Sequence, residues 1–106
     1  MILTIDVGNT NITVGVFENE KLIANFRITT KIPRTSDEYG MMLSEMLENN
    51  DISHNQISDA IIASVVPNVM HSLESALIKY FHIEPIVVEA GIKTGIRIVT
   101  PNPQQI

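Results

Sequence analysis

The chain has 106 residues, 44% hydrophobic and 18% charged, and a formal net charge of -5 at pH 7. That composition excludes a disordered polymer, and the acidic balance without a dense basic block excludes a non-specific nucleic-acid binder or a polybasic membrane anchor. With no cysteine it also excludes disulfides and thiolate metal sites, which accords with a soluble protein of the reducing cytoplasm.

The opening stretch, Met1 to Asp6, is an apolar strand that ends in an acid and breaks into the polar turn Gly8-Asn9-Thr10-Asn11. Ile12, Val14 and Val16 then alternate with Thr13, Gly15 and Phe17, the two-residue period of a second strand. After the polar turn Glu18–Lys21, a third strand places Leu22, Ala24, Phe26 and Ile28 on one side. Short turns between consecutive strands predict an antiparallel meander. Beyond the Lys31–Arg34 loop the period changes. Thr35 and Glu38 have capping-box spacing, and Tyr39, Met42, Leu43, Met46 and Leu47 define the buried face of a helix that Asn49-Asn50-Asp51 ends.

Ile52–Ser58 reads as a connection with Ile52 and Ile57 turned inward. Ala60–Val66 is a continuous apolar run, the pattern of a strand covered on both faces, and falls far short of a membrane span. Pro67 suits the first turn of a second helix, whose stripe is Val69, Met70, Leu73, Leu77, Tyr80 and Phe81. Pro85–Val88 is a further buried strand, Gly91–Gly95 a glycine-bounded loop, and Ile96–Val99 a final short strand before a proline-containing tail. The order β-β-β-α-β-α-β, with one strand more, predicts an α/β domain: a mixed sheet with helices packed on it.

Chemistry concentrates at the first turn. Gly8, Asn9, Thr10 and Asn11 by themselves read as a hairpin turn, since glycine and asparagine are what tight turns require. Two neighbours add a second reading. Asp6 places a carboxylate in an otherwise apolar run, and Thr13 keeps a hydroxyl at the start of the next strand. Turn amides beside an acid make a cradle for phosphate oxygens and a hydrated metal ion. The two readings are compatible, because the turn that joins the strands can also be the cradle. His54, His71 and His82 lack metal-ligand spacing, Asp37 and Glu38 read as helix-start charges, and Ser64 as a strand-end hydrogen-bonding residue. Lys93 and Thr94 face a cleft only if their loop approaches a ligand; a plain turn explains them equally well.

Asp6-Val7-Gly8-Asn9-Thr10-Asn11, Arg34-Thr35-Ser36-Asp37-Glu38-Tyr39, Ser64-Val65-Val66-Pro67 and Gly91-Ile92-Lys93-Thr94-Gly95 stand in this order along the chain. Together they resemble the N-terminal half of type III pantothenate kinases, within the superfamily of actin, sugar kinases and heat-shock chaperone ATPases. The resemblance implies a ribonuclease H-like, actin-like ATPase domain over residues 1–106. It implies ATP-dependent phosphorylation of pantothenate to 4′-phosphopantothenate, the first step of coenzyme A synthesis, by a homodimer using Mg²⁺ and a monovalent cation, K⁺ or NH₄⁺.

Carried over by position, Asp6 would hold the metal, and Asp6, Val7, Gly8, Asn9, Thr10, Asn11, Ile12 and Thr13 would form the phosphate-binding hairpin. Thr100 stands where relatives often have a tyrosine that contacts pantothenate, which makes it a substrate-binding candidate; an ordinary loop residue is the simpler reading. No catalytic base is expected within the chain. The family's Gly-Ala/Ser-Asp-Arg segment, with the aspartate that activates the pantothenate hydroxyl, would follow Ile106, and the second domain would follow that. The chain alone is therefore expected to be inactive and prone to self-association. Alternatives are a non-catalytic kinase-like regulator of the same fold or a different member of the superfamily.

Overall fold

A computed structural model describes residues 1–64, 66–90 and 96–99. Strands β1 (Ile2–Val7), β2 (Asn11–Glu18) and β3 (Lys21–Thr29) are followed by helix α1 (Ser36–Asn49) and a 3₁₀ turn (His54–Gln56). Next come β4 (Asp59–Ser64), α2 (Pro67–Ala76), a π-helical turn (Leu77–Phe81), β5 (Ile86–Ala90) and β6 (Ile96–Val99). The sheet runs β3-β2-β1-β4-β5-β6. β1, β2 and β3 form the expected antiparallel meander, β1 pairs parallel with β4 and β4 with β5, and β6 returns antiparallel to β5. β1 is thus the seam between a hairpin half and a parallel half, and β1, β3 and β4 all end on the same side of the sheet.

Alternation decides which side chains meet the helices. Leu3, Ile5 and Val7 of β1, Ile12, Val14 and Val16 of β2, Ile28 of β3, and Ala60 and Ile62 of β4 share one core with Tyr39, Leu43, Leu47, Leu73, Ala76, Leu77 and Phe81. The opposite face carries Asp6 and Thr13, both exposed, and exposed Ile2, Leu22 and Ile86.

Three expectations change here. The apolar run of β4 is covered fully on one face only: Ala60, Ile62 and Ser64 are buried, while Ile61 and Ala63 remain half-buried. The reason is that both helices share the same core. Leu22 leaves the apolar side of β3 because the register of the β2–β3 pair shifts between Val16 and Phe17. Such a bulge moves every residue beyond it to the other face, so Leu22 pairs with Phe17 and is 47% exposed. The second helix does not run on as a regular α-helix. After Ala76 it widens into the π turn, ended by His82 in the left-handed region (φ 57°), which sets Leu77 and Phe81 into the core.

Local signals are realised closely. Thr35 Oγ1 accepts from the Glu38 N–H at 3.1 Å, and Glu38 Oε1 accepts from the Thr35 N–H at 2.7 Å, completing the capping box. Asn19 (φ 52°) and Glu20 (φ 68°) both take positive φ, the primed turn whose twist matches that of its flanking strands.

The start of α1 is tied to the π turn by Asp37. Its Oδ1 accepts from Lys79 Nζ at 2.9 Å and from the Tyr80 hydroxyl at 3.0 Å. These bonds hold the Asp37 carboxyl below its ordinary range, the Lys79 bond first, and hold the Lys79 ammonium above its own. A depressed carboxyl stabilises the fold above its unfolded-state pKa and loses that contribution as pH falls through the folded one. For Lys79 the contribution is complete at neutral pH and fades only in strong alkali. The melting-temperature difference between wild type and Asp37→Asn is therefore expected at pH 7 and should close as the medium is acidified below the carboxylate range. A difference that persists unchanged in acid would show that the ion pair is not its source.

Candidate phosphate-binding site

The turn between β1 and β2 stands at the carboxyl end of β1, where the strand order departs in both directions. In open α/β sheets such a switch point is where ligands bind. Val7 and Ile12 flank the turn and are buried at 1% and 0% exposure. They anchor it to the core, and only their backbone is available to a ligand. Asn9, Thr10, Asn11 and Thr13 are exposed. Gly8 donates its N–H to the Asn11 carbonyl at 2.9 Å, and a Cβ on Gly8 would lie 3.2 Å from that same oxygen. The turn is therefore too tight for a larger residue without a shift.

Two further turn carbonyls are held from β3's end. Gly8 C=O accepts from Thr30 Oγ1 at 2.9 Å, and Thr10 C=O accepts from the Thr30 N–H at 3.0 Å. Among the described residues, the N–H groups of Asn9 and Thr10 find no protein acceptor. Unpaired turn donors that face water are what an anion needs.

Asp6, although it stands in an apolar run, is not buried. With Leu3, Ile5 and Val7 turned to the helices, Asp6 must point from the opposite face, where it is exposed. It lies directly across from Thr13 on β2 and Ala63 on β4, and Thr13 lies across from Arg27 on β3. Sheet pairing thus sets Asp6, Thr13 and the exposed Arg27 in one row beneath the turn. Among the described residues no cluster of three or more acidic or histidine side chains could enclose a metal ion. A single free carboxylate beside open amides does fit Mg²⁺, which keeps several waters and takes its remaining ligands from phosphates. Asp6 would hold the ion, whose chemistry when bound is to neutralise phosphate charge.

Sequence reasoning missed Arg27, Thr30 and Arg34. Arg34 Nη1 donates to the Thr29 carbonyl at 2.6 Å, and its guanidinium carbon lies 6.0 Å from the centre of the Tyr39 ring. Lys31, Arg34, Tyr39, Asn68 and Ser72 line a cavity of about 310 Å³ between the β3–α1 loop and the start of α2. The arginine-to-tyrosine spacing in the Arg34–Tyr39 motif was the one available signal for this link. Ser64 does what was expected of it: its hydroxyl closes a short turn with the Val66 backbone at 2.9 Å. His71 and His82 are exposed. Val65, Lys93, Thr94 and Thr100 lie outside the described residues.

The family model for type III pantothenate kinase matches residues 2–106. The chain belongs to the type III pantothenate kinase family. A relative named type III pantothenate kinase from Agathobacter rectalis is 71% identical over 106 residues, covering 100% of this chain and 41% of its own length. Another of that name from Bifidobacterium longum subsp. infantis is 43% identical over 104 residues, 98% of this chain and 41% of its own. The chain thus spans about two-fifths of the length of the curated relatives it matches. Of the four segments that carry the resemblance, Asp6–Asn11 is the hairpin turn with its carboxylate. The Arg34–Tyr39 signature is the loop and cap that open α1, and Ser64 and Pro67 bracket the step from β4 into α2. The Gly91–Gly95 signature lies outside the described residues.

Proposed function

We propose that this chain is the phosphate-binding, N-terminal domain of an enzyme that transfers the γ-phosphoryl group of ATP to the pantothenate hydroxyl. The product, 4′-phosphopantothenate, begins coenzyme A synthesis. The observation that carries the reading is the Gly8–Asn11 turn, whose outward amides adjoin the free carboxylate of Asp6 in a chain matched to the kinase family along nearly its whole length. The order of the first five strands, β3-β2-β1-β4-β5 with β2 alone running against the other four, supports an actin-like, ribonuclease H-like domain, to which β6 adds an antiparallel edge.

In the transfer, the pantothenate oxygen bonds to the γ-phosphorus, the bond from that phosphorus to the bridging oxygen breaks, and ADP leaves. The hydroxyl proton passes to a base that we place in the family's segment following Ile106. Phosphoryl transfer asks chiefly for positioning and charge stabilisation. The amides of Asn9 and Thr10 and the hydroxyls of Thr10 and Thr13 bind and orient phosphate oxygens; Asp6 would hold Mg²⁺, which would supply charge neutralisation. Thr100 is a candidate pantothenate contact. Family resemblance extends the proposal to a cytoplasmic homodimer that uses a monovalent cation.

The test supplies the complete protein with ATP, Mg²⁺ and pantothenate and follows products by mass spectrometry. The expected result is ADP and a pantothenate heavier by one phosphate, in equal amounts. ATP binding without a phosphorylated product would instead favour the non-catalytic regulator.

A further inference from the structure

Thr30 and Ser64 are the buried polar residues among those described, at 9% and 8% exposure. Ser64 serves its own neighbour, but Thr30 reaches 22 positions back to the turn. A trans peptide points its C=O and N–H in opposite directions. Holding Gly8 C=O at Thr30 Oγ1 therefore aims the Asn9 N–H away from β3. Holding Thr10 C=O at the Thr30 N–H does the same for Asn11. Neither Asn9 nor Thr10 takes positive φ, so the turn lacks the primed geometry that would match strand twist unaided.

The restraint continues behind Thr30. The peptide that presents the Thr30 N–H is the one whose carbonyl accepts from Arg34 at 2.6 Å. Arg34 in turn lies over the ring of Tyr39, which is 1% exposed in the core. Tyr39, Arg34, the Thr29–Thr30 peptide and the turn thus form one chain of contacts, and hydrogen bonds in series strengthen one another.

We infer that Thr30 is the positioning residue of the phosphate-binding turn, with Arg34 as its outer tether. It touches neither substrate nor reacting atoms, and acts by fixing the direction of the Asn9 amide, one of the two that do. This rests on the turn being the phosphate cradle.

The experiment compares Thr30→Val, Thr30→Ser and Arg34→Met with wild type in the complete protein. It measures kcat, KM for ATP, KM for pantothenate and amide hydrogen exchange at residues 8–11. Thr30→Val keeps the shape but loses the hydroxyl. It should raise KM for ATP roughly five- to tenfold, the worth of one hydrogen bond, quicken exchange in the turn and leave KM for pantothenate unchanged. Thr30→Ser keeps the donor and should stay within about twofold of wild type. Should the valine variant fail to fold, Arg34→Met decides the matter, with an expected rise in KM for ATP of about threefold and faster turn exchange.

Wild-type KM for ATP in the folded valine variant, or in Arg34→Met if valine does not fold, overturns the inference. So does a serine variant as impaired as valine, which would make the role one of methyl packing. A wild-type protein that binds no ATP would instead overturn the proposed function and this inference with it. That result is distinct from one in which wild type binds and the variants match it.

Discussion

Under the proposed function, replacing Asp6 with alanine in the complete protein is expected to lower pantothenate-dependent ATP consumption by at least about a hundredfold, while the melting temperature stays within about 2 °C of wild type. The two halves of this expectation have separate origins. Asp6 is exposed on the outward face of β1, and among the described residues no hydrogen bond or salt bridge involves its carboxylate. Removing it leaves no buried partner unsatisfied, so the fold has little to lose. Catalysis has more to lose, because among the described residues the carboxylate is the one acid that strand pairing sets beside the turn. Under the proposed function, the Mg²⁺ that would neutralise phosphate charge loses its protein ligand. Activity and a thermal melt measured on the same preparation check both halves. Turnover close to wild type would remove Asp6 from the site, and a large fall in melting temperature would mean that it serves the fold.

Gly40→Ala destabilises the protein by about 1–3 kcal/mol through overpacking, although helix propensity alone predicts a gain of about 1 kcal/mol at such a position. Gly40 is buried in α1 against the ring of Tyr80, and a Cβ there would come within 2.6 Å of Tyr80 Cγ. Cγ is the root of the ring, so the side chain cannot swing clear at its tip. It must move as a whole and give up the Tyr80 hydroxyl bond to Asp37, 3.0 Å long. The decisive check is a double-mutant cycle in urea. In a Tyr80→Ala background the obstacle is gone, and the same Gly40→Ala change should turn from destabilising to neutral or stabilising. Equal effects in the two backgrounds would mean that the Tyr80 ring is not what keeps position 40 a glycine.

Gly40 also shows where sequence reading stops. In the α1 pattern it is an ordinary weak helix residue, and nothing nearby announces an aromatic ring 40 positions on in the chain. The capping box of Thr35 and Glu38 was legible because both partners lie within one helical turn. The β-meander was legible for the same reason, its turns joining neighbours in the chain. The bulge between Val16 and Phe17 was not, since it exists only in the pairing of β2 with β3 and leaves no mark on the alternation of either strand alone. The π turn was hidden because Leu77 and Phe81 also satisfy ordinary helical spacing.

The candidate site divides along the same line. By itself the sequence determined the acid, the glycine and the amide-bearing turn, their order along one strand and hairpin, and the family signature they share with three later segments. These are properties of adjacent residues, and adjacency is what a sequence records. Only the tertiary structure decided that Asp6 points to the open face, because that direction depends on which side of β1 the helices cover. Only it placed Arg27 in the row with Asp6 and Thr13, because that row runs across the strands. And only it brought the Thr30 hydroxyl to the Gly8 carbonyl at 2.9 Å, because folding β2 back between β1 and β3 lays the end of the third strand beside the first turn.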